Sequence, residues 1–113
     1  MLTTEKLKTF GADVGTALPR CGNNEALYLR LVGMCADELR QDALGEALKS
    51  GDLDRAFETA HKLKGAVGNL ALTPVYDPIC TLTELLRNKT PEDYEALYRQ
   101  IVLKTTELSE LMK

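Results

Sequence analysis

The sequence is poor in the residues on which nucleic-acid binding depends. It has no tryptophan, and aromatic side chains make up only 5% of its 113 residues, so nucleic-acid bases would find few stacking platforms. Lys and Arg number 14 against 17 Asp and Glu, which gives a net charge of −3. No long basic cluster is present to contact phosphates. We therefore expect no nucleic acid among the partners.

The chain also lacks features that would direct it to a membrane. No apolar run approaches the roughly 20 residues that a membrane-spanning helix needs. The opening residues Met1–Lys6 contain no apolar signal core. We expect a cytoplasmic protein that makes no contact with membranes.

Cysteine and histidine are too few and too scattered for a metal site. The three cysteines are Cys21, Cys35 and Cys80, and no two of them form a CxxC pair. A single histidine cannot complete a Cys/His zinc site. We expect reduced thiols and no bound metal.

What the chain does have is helical periodicity over nearly its whole length. With 113 residues, 44% of them hydrophobic, it can form one domain over residues 1–113. A short first helix is predicted over Thr4–Phe10, followed by a stretch broken by glycine and proline. Asn23 or Asn24 can cap a longer helix that ends at Ser50–Gly51. Its predicted inward stripe is Leu27, Leu31, Met34 or Cys35, Leu39, Leu44 and Leu48, with a bend at Gly45.

The next helix carries the clearest periodic signal. It is predicted to start at Asp52 or Leu53 and to bury Leu53, Ala56, Ala60, Leu63, Val67 and Leu70. The alternating steps of three and four residues are typical of the buried seam of a helical bundle.

Two more helices are predicted towards the C-terminus. Pro74 and Pro78 should not share one helix, because the second ring would clash with the carbonyl four residues back. The helix is therefore predicted to restart at Asp77 and to end at Asn88–Lys89. Thr90–Asp93 is a strong start signal for the last helix, which should turn Tyr94, Leu97, Ile101, Leu108 and Met112 inward. The prediction is an all-α fold, an antiparallel four-helix bundle with a short accessory N-terminal helix.

One residue is a candidate for chemistry. The heptad register places His61 beside the buried seam and turned towards solvent, with Lys64 three residues and Gly65 four residues further along the same face. Neutral imidazole is nucleophilic near pH 7, and a neighbouring lysine can compensate an added negative charge. Lys62 adds positive potential or is simply a solvated surface lysine.

The glycines at positions 65 and 68 have two explanations. Each costs the helix about 1 kcal/mol relative to alanine. They could leave the His61 ring accessible to a partner or a phosphoryl group, or they could let neighbouring helices pack closely. The register favours access, because Gly65 and Gly68 both face away from the seam.

The segment Ala60–Leu70 resembles the signature of histidine-containing phosphotransfer (HPt) domains, a histidine followed by a variable residue, Leu, Lys, Gly, small residues and an apolar–Gly pair. The resemblance implies that His61 accepts a phosphoryl group from a receiver-domain aspartate and passes it to another receiver. It implies that Lys64 stabilises the phosphate. The implied access and docking surface consists of Gly65, Gly68, Asn69 and Lys62.

The resemblance also implies a carrier in two-component signalling with no kinase site of its own. No Gly-rich phosphate loop or kinase motif set is present. The chain should need no cofactor, since Mg²⁺ is expected in the acidic pocket of the receiver. The implied partners are response-regulator receiver domains and a hybrid histidine kinase, and the chain should be a monomer. The sequence departs from the family at Ala71, where glycine is usual, and at Pro74 and Pro78.

Two other functions compete. The dimerisation and phosphoacceptor region of a histidine kinase usually has an acidic residue and then a proline soon after its histidine. Here Lys62 follows His61, and no proline occurs before Pro74. The alternative from another class is a non-catalytic helical module that docks receiver domains without being phosphorylated.

Overall fold

The computed structural model describes residues 1–89 and 93–113, and every regular element in these two ranges is helical. This confirms the predicted all-α class. The elements are α1 (Thr4–Phe10), α2 (Val14–Ala17), a 3₁₀ turn (Leu18–Cys21), α3 (Glu25–Arg40), α4 (Ala43–Ser50), α5 (Leu53–Asn69), α6 (Thr73–Arg87) and α7 (Tyr94–Glu110). Within the described ranges, no helix combines the length and the apolar character needed to cross a membrane.

The helices form a closed four-helix bundle in which each one packs against its two neighbours. Helix α5 packs on α4 and α6, α6 packs on α7, and α7 contacts α3. Helices α3 and α4 together form one arm of this bundle, and the short links make neighbouring helices antiparallel. Helix α1 packs on α7, and the 3₁₀ turn packs on α3. The predicted bundle with an accessory N-terminal helix is the observed architecture.

The helix predicted to continue from Asn24 to Ser50 is in fact interrupted. Helix α3 ends at Arg40, and Asp42 has a left-handed backbone with a φ of 58°. The Tyr98 hydroxyl donates a hydrogen bond to the Asp42 carboxylate from α7. A Cβ at Gly45 would collide with both of these groups. Glycine at position 45 therefore allows a close approach of α7, and the change of direction comes three residues earlier.

The predicted inward stripe of α3 is wrong at Leu27, which is 37% exposed, and at Met34, which is 58% exposed. Its alternative to Met34, Cys35, is buried as predicted. The other buried residues of the helix are Tyr28, Val32 and Ala36. A tyrosine can be buried whole when its hydroxyl finds a partner, and the Tyr28 hydroxyl donates to the Leu70 carbonyl at 3.0 Å.

Helix α6 does not restart at Asp77. It runs without a break from Thr73 to Arg87, with Pro74 in its first turn and Pro78 inside it. Pro78 lies only one turn from the start, so the single backbone hydrogen bond it gives up is the one to the Pro74 carbonyl. The fully buried Ile79 lies directly after it. Burial of this face against α5 offsets the lost bond.

Helix α7 begins after Asp93, whose carboxylate accepts a hydrogen bond from the Glu95 backbone N–H at 3.0 Å. The rest of the predicted start signal, Thr90–Glu92, lies outside the described residues. Ile101 and Leu108 are buried as predicted, whereas Tyr94 and Leu97 are half-buried. Met112 is also half-buried, but it lies beyond the end of the helix.

Candidate functional site

Helix α5 presents His61 to solvent. The helix is capped by Asp52, whose carboxylate accepts from the Arg55 backbone N–H at 3.1 Å. Its buried residues are Ala56, Ala60, Leu63 and Val67, all members of the predicted seam. Burial of this stripe fixes the rotation of the helix about its own axis. The same rotation places His61 on the exposed side.

The His61 imidazole rests on another ring. The Phe57 ring, one turn earlier, stacks on it with centroids 5.8 Å apart and planes 17° apart. The guanidinium carbon of Arg87, which comes from α6, lies 5.1 Å from the centroid of the Phe57 ring. In residues 1–89 and 93–113, no hydrogen bond to the imidazole is found. The stack on Phe57 is thus the contact found for the ring among the described residues.

The two lysines near His61 lie on opposite sides of it. Lys64 is half-buried and lines a shallow groove along the C-terminal half of α5. Lys62 is exposed and lines a separate cleft of about 480 Å³ between α3, α4, α5 and α7. The structure therefore brings Lys64, but not Lys62, to the same groove as Gly65 and Asn69.

The two glycines turn out to differ. A Cβ at Gly65 would have no neighbour within 4 Å, so this position is open. A Cβ at Gly68 would lie 2.9 Å from the ring of Tyr76 on α6. The access explanation therefore fits Gly65, and it is wrong as the reason for glycine at position 68. Gly68 is required by close packing of α5 and α6, although it also lines the groove.

One wall of the groove comes from a part of the chain that no sequence motif indicated. The Arg20 side chain, which follows α2, donates through one nitrogen to the Gly68 carbonyl at 3.3 Å and to the Asn69 carbonyl at 3.0 Å. Both Arg20 and Asp13 line the groove next to Lys64. Since Arg20 is 48 and 49 residues distant in sequence from Gly68 and Asn69, only the fold reveals this neighbour.

The C-terminal end of α5 is held by a complete Schellman motif. The Leu72 N–H donates to the Val67 carbonyl at 3.0 Å, and the Ala71 N–H donates to the Gly68 carbonyl at 3.1 Å. Ala71 has a φ of 54°, a left-handed backbone in which an L-residue is disfavoured. This explains in physical terms why glycine is usual there.

The backbone carbonyls of Leu70 and Ala71 also accept hydrogen bonds. The buried Tyr28 hydroxyl donates to Leu70, and the Asp13 N–H donates to the Ala71 carbonyl at 2.9 Å. Burial, reinforced by the nearby Cys21 and Asp13, raises the pKa of Tyr28 to about 12. The tyrosine therefore keeps its proton and remains a donor at neutral pH.

Comparison with known protein families assigns this site to a class. The model of the Hpt domain family matches residues 30–112, well over half of the chain. The chain belongs to the Hpt domain family, and the resemblance seen in the sequence is confirmed. Hpt domains are phosphotransfer carriers of two-component signalling, not kinases, and they interact with receiver domains and histidine kinases. Neither the curated proteins nor the solved structures gave a match.

The family match begins after the N-terminal helices. Helices α1 and α2 and the 3₁₀ turn all lie before residue 30, so the wall that Arg20 contributes to the groove lies outside the matched region. No cluster of His, Cys, Asp and Glu that could hold a metal ion is found among the described residues.

Proposed function

We propose that His61 accepts a phosphoryl group from the aspartyl phosphate of a receiver domain and passes it to the aspartate of another. The observation that carries the proposal is the placement of the only histidine of this Hpt domain, exposed on a bundle helix with Lys64 one turn away. Membership of the Hpt domain family supports the reaction type.

The reaction needs little from this chain beyond presentation. A nitrogen lone pair of neutral His61 attacks the phosphorus, the new N–P bond forms, and the P–O bond to the aspartate breaks. The carboxylate of the receiver leaves with the electron pair. Lys64 compensates the negative charge that the phosphoryl group brings to α5. Mg²⁺ belongs in the acidic pocket of the receiver, and the chain itself requires no cofactor and no ATP site.

The partner surface in this proposal is the face of α5 around the histidine. Gly65 leaves open space beside the ring, so the edge of a receiver can approach the imidazole. Asn69 and Gly68 extend the same groove, and Lys62 flanks the ring on the other side. The proposal takes the chain to act in the cytoplasm and as a monomer. A single chain that closes its own four-helix bundle supports the monomer.

Phosphotransfer from a charged receiver tests the proposal. A receiver domain phosphorylated with acetyl phosphate and Mg²⁺ is purified and mixed with wild type or with His61→Gln. Wild type should gain a label that acid removes and alkali does not, and His61→Gln should gain none. Mixing the labelled carrier with a second receiver should move the label onward only when Mg²⁺ is present.

The outcomes separate this function from its competitor. Equal labelling of both proteins, or no labelling of wild type by any of the source organism's receivers, would refute phosphoryl transfer by His61. Receiver binding without label by wild type, retained in His61→Ala, would identify a non-catalytic docking module instead.

A further inference from the structure

The orientation of the nucleophile poses a specific problem in this site. An exposed histidine can rotate among the staggered positions of its first side-chain bond and more broadly about its second. Transfer requires a ring nitrogen that points at the phosphorus, and most of those positions do not provide it. In the described ranges no hydrogen bond fixes the imidazole of His61, and the stack on Phe57 is its only ring contact.

The Phe57 ring is itself held from a neighbouring helix. Phe57 is half-buried and packs against the core. The guanidinium of Arg87 lies over its ring at 5.1 Å, within the range of a cation–π contact. The Arg87 Nε also pairs with Glu84 one turn earlier on α6 at 3.5 Å. The chain of contacts thus runs from α6 through a phenyl ring to the nucleophile.

We propose that Phe57 is a positioning residue for phosphoryl transfer at His61, and that Arg87 holds the Phe57 ring in place. The inference rests on the function proposed for His61. The near-parallel planes restrict the imidazole to orientations in which it lies over Phe57. Its edge, which carries the two nitrogens, then stays available to a partner that approaches α5 from solvent.

A purely structural role for Phe57 makes a different prediction. If the ring only fills space beside the core, its loss lowers the free energy of unfolding and leaves the reactivity of the folded molecules unchanged. If it positions His61, the rate of transfer per folded molecule falls as well. The rate of phosphoryl transfer must therefore be measured on folded protein, well below the melting temperature.

The kinetic test compares the two phenylalanines of the chain. Phe57→Leu keeps an apolar side chain and removes the ring, whereas Phe10→Leu makes the same change in α1. We expect Phe57→Leu to lower the transfer rate at saturating receiver by about 10-fold, since small errors of alignment are costly, with the KM for receiver unchanged. Phe10→Leu should transfer like wild type, and Phe57→Tyr should restore most of the rate.

The small phosphodonor phosphoramidate separates positioning from docking. It gives its phosphoryl group to imidazole with loss of ammonia, and no receiver is involved. Labelling of Phe57→Leu by this donor should also be slower than labelling of wild type. Arg87→Gln should show a smaller fall of the same kind, and Arg99→Gln on α7, which loses an exposed pair with Glu95, should show none.

NMR of the wild-type protein tests the same inference even where a variant fails to fold. The chain has one histidine, so its ring protons need no site assignment. They should be shifted by the Phe57 ring current and show nuclear Overhauser effects to the Phe57 ring, and both signals should disappear in folded Phe57→Leu. Absence of these signals in wild type would overturn the inference.

The inference and the proposed function fail in distinguishable ways. If phosphoramidate and receivers both leave wild type unlabelled, the function fails. If wild type is labelled and folded Phe57→Leu reacts at the same rate, only the positioning role fails.

Discussion

The middle and the C-terminal end of α5 are built in opposite ways. Around His61, the side chain proposed to react has a stacked ring on one side and open space at Gly65 on the other. From residue 67 to residue 71, successive backbone carbonyls accept hydrogen bonds from the following turn, from Arg20, from Tyr28 and from the Asp13 backbone. The C-terminal end of the helix, residues 67–71, is therefore held in place, and we call it the pinned end. The middle of the helix, around His61, is left accessible.

This difference suits a carrier that must meet more than one partner. A receiver can approach the exposed face of α5 around His61 without displacing any element of the fold. The pinned end holds this face of α5 in one place, because the buried, hydrogen-bonded carbonyl of Leu70 is expensive to expose.

The largest contrast should come from alanine at the two glycines. Gly68→Ala places a methyl group against the Tyr76 ring and should destabilise the fold by about 1–3 kcal/mol, as overpacking does. Gly65→Ala meets open space and should stabilise α5 by up to about 1 kcal/mol through helix propensity. Urea unfolding of both variants followed by circular dichroism measures the difference.

The two substitutions should have the opposite order of effect on the rate of phosphoryl transfer. Gly65→Ala should slow transfer from receivers more than labelling by phosphoramidate, because the methyl group stands where the partner approaches. Gly68→Ala should react normally as long as it is folded. Equal destabilisation by the two substitutions would contradict the distinction between an open and a packed glycine.

Removal of the Tyr28 hydroxyl should loosen the pinned end. Tyr28→Phe leaves the buried Leu70 carbonyl without its donor, which should cost about 1–3 kcal/mol. Hydrogen exchange should speed up at the amides of the last turn of α5 and much less at the start of the helix. An unchanged unfolding midpoint in Tyr28→Phe would show that the bond does not hold this end.

Glycine at position 71 should strengthen the same end. Ala71 adopts a left-handed backbone at the C-terminal cap, which costs an L-residue about 1–2 kcal/mol. Ala71→Gly relieves this strain, and the greater freedom of glycine in the unfolded chain takes back part of the gain. A rise of about 0.5–1 kcal/mol in unfolding free energy is expected from thermal melts. Ala66→Gly within α5 should do the reverse.

Alkaline pH should act on the pinned end of α5 through Tyr28, as well as on Cys35 and Tyr98, whose pKa values burial raises to about 11 and about 12. Tyr28 has a pKa of about 12 in the folded protein against an ordinary value of 10.0, so the folded state holds this proton more tightly. The stability from this group is complete below pH 10 and is lost as the pH rises from 10 towards 12. Urea midpoints measured across this window should fall less steeply in Tyr28→Phe. An identical slope in both proteins would show that Tyr28 does not titrate in this way.

Much of the fold could be predicted from local signals. The alternating steps of three and four along α5 fixed which side of the helix is buried, and hence that His61 is exposed. Capping residues such as Asn24 and Asp52 marked helix starts correctly. These features depend on neighbours within a turn or two, which a single sequence displays.

The errors arose where contacts between residues distant in the sequence determine the packing. The inward face of α3 depends on the bond between Tyr28 and Leu70, 42 residues apart. The close packing at Gly68 depends on Tyr76 from another helix. The cation–π contact on the Phe57 ring depends on Arg87, also from another helix. Phe57 itself was within reach, since it lies one turn before His61 on the same face. Arg20 left no local signal.

The central claim is that His61 receives the phosphoryl group, and intact-protein mass spectrometry tests it most directly. Wild type mixed with a phosphorylated cognate receiver and Mg²⁺ should gain the mass of one phosphoryl group, lose it in acid, and yield a phosphorylated peptide that contains His61. The account predicts no such gain in His61→Gln. A phosphorylated His61→Gln, or a wild type that binds the receiver and never gains phosphate, would contradict it.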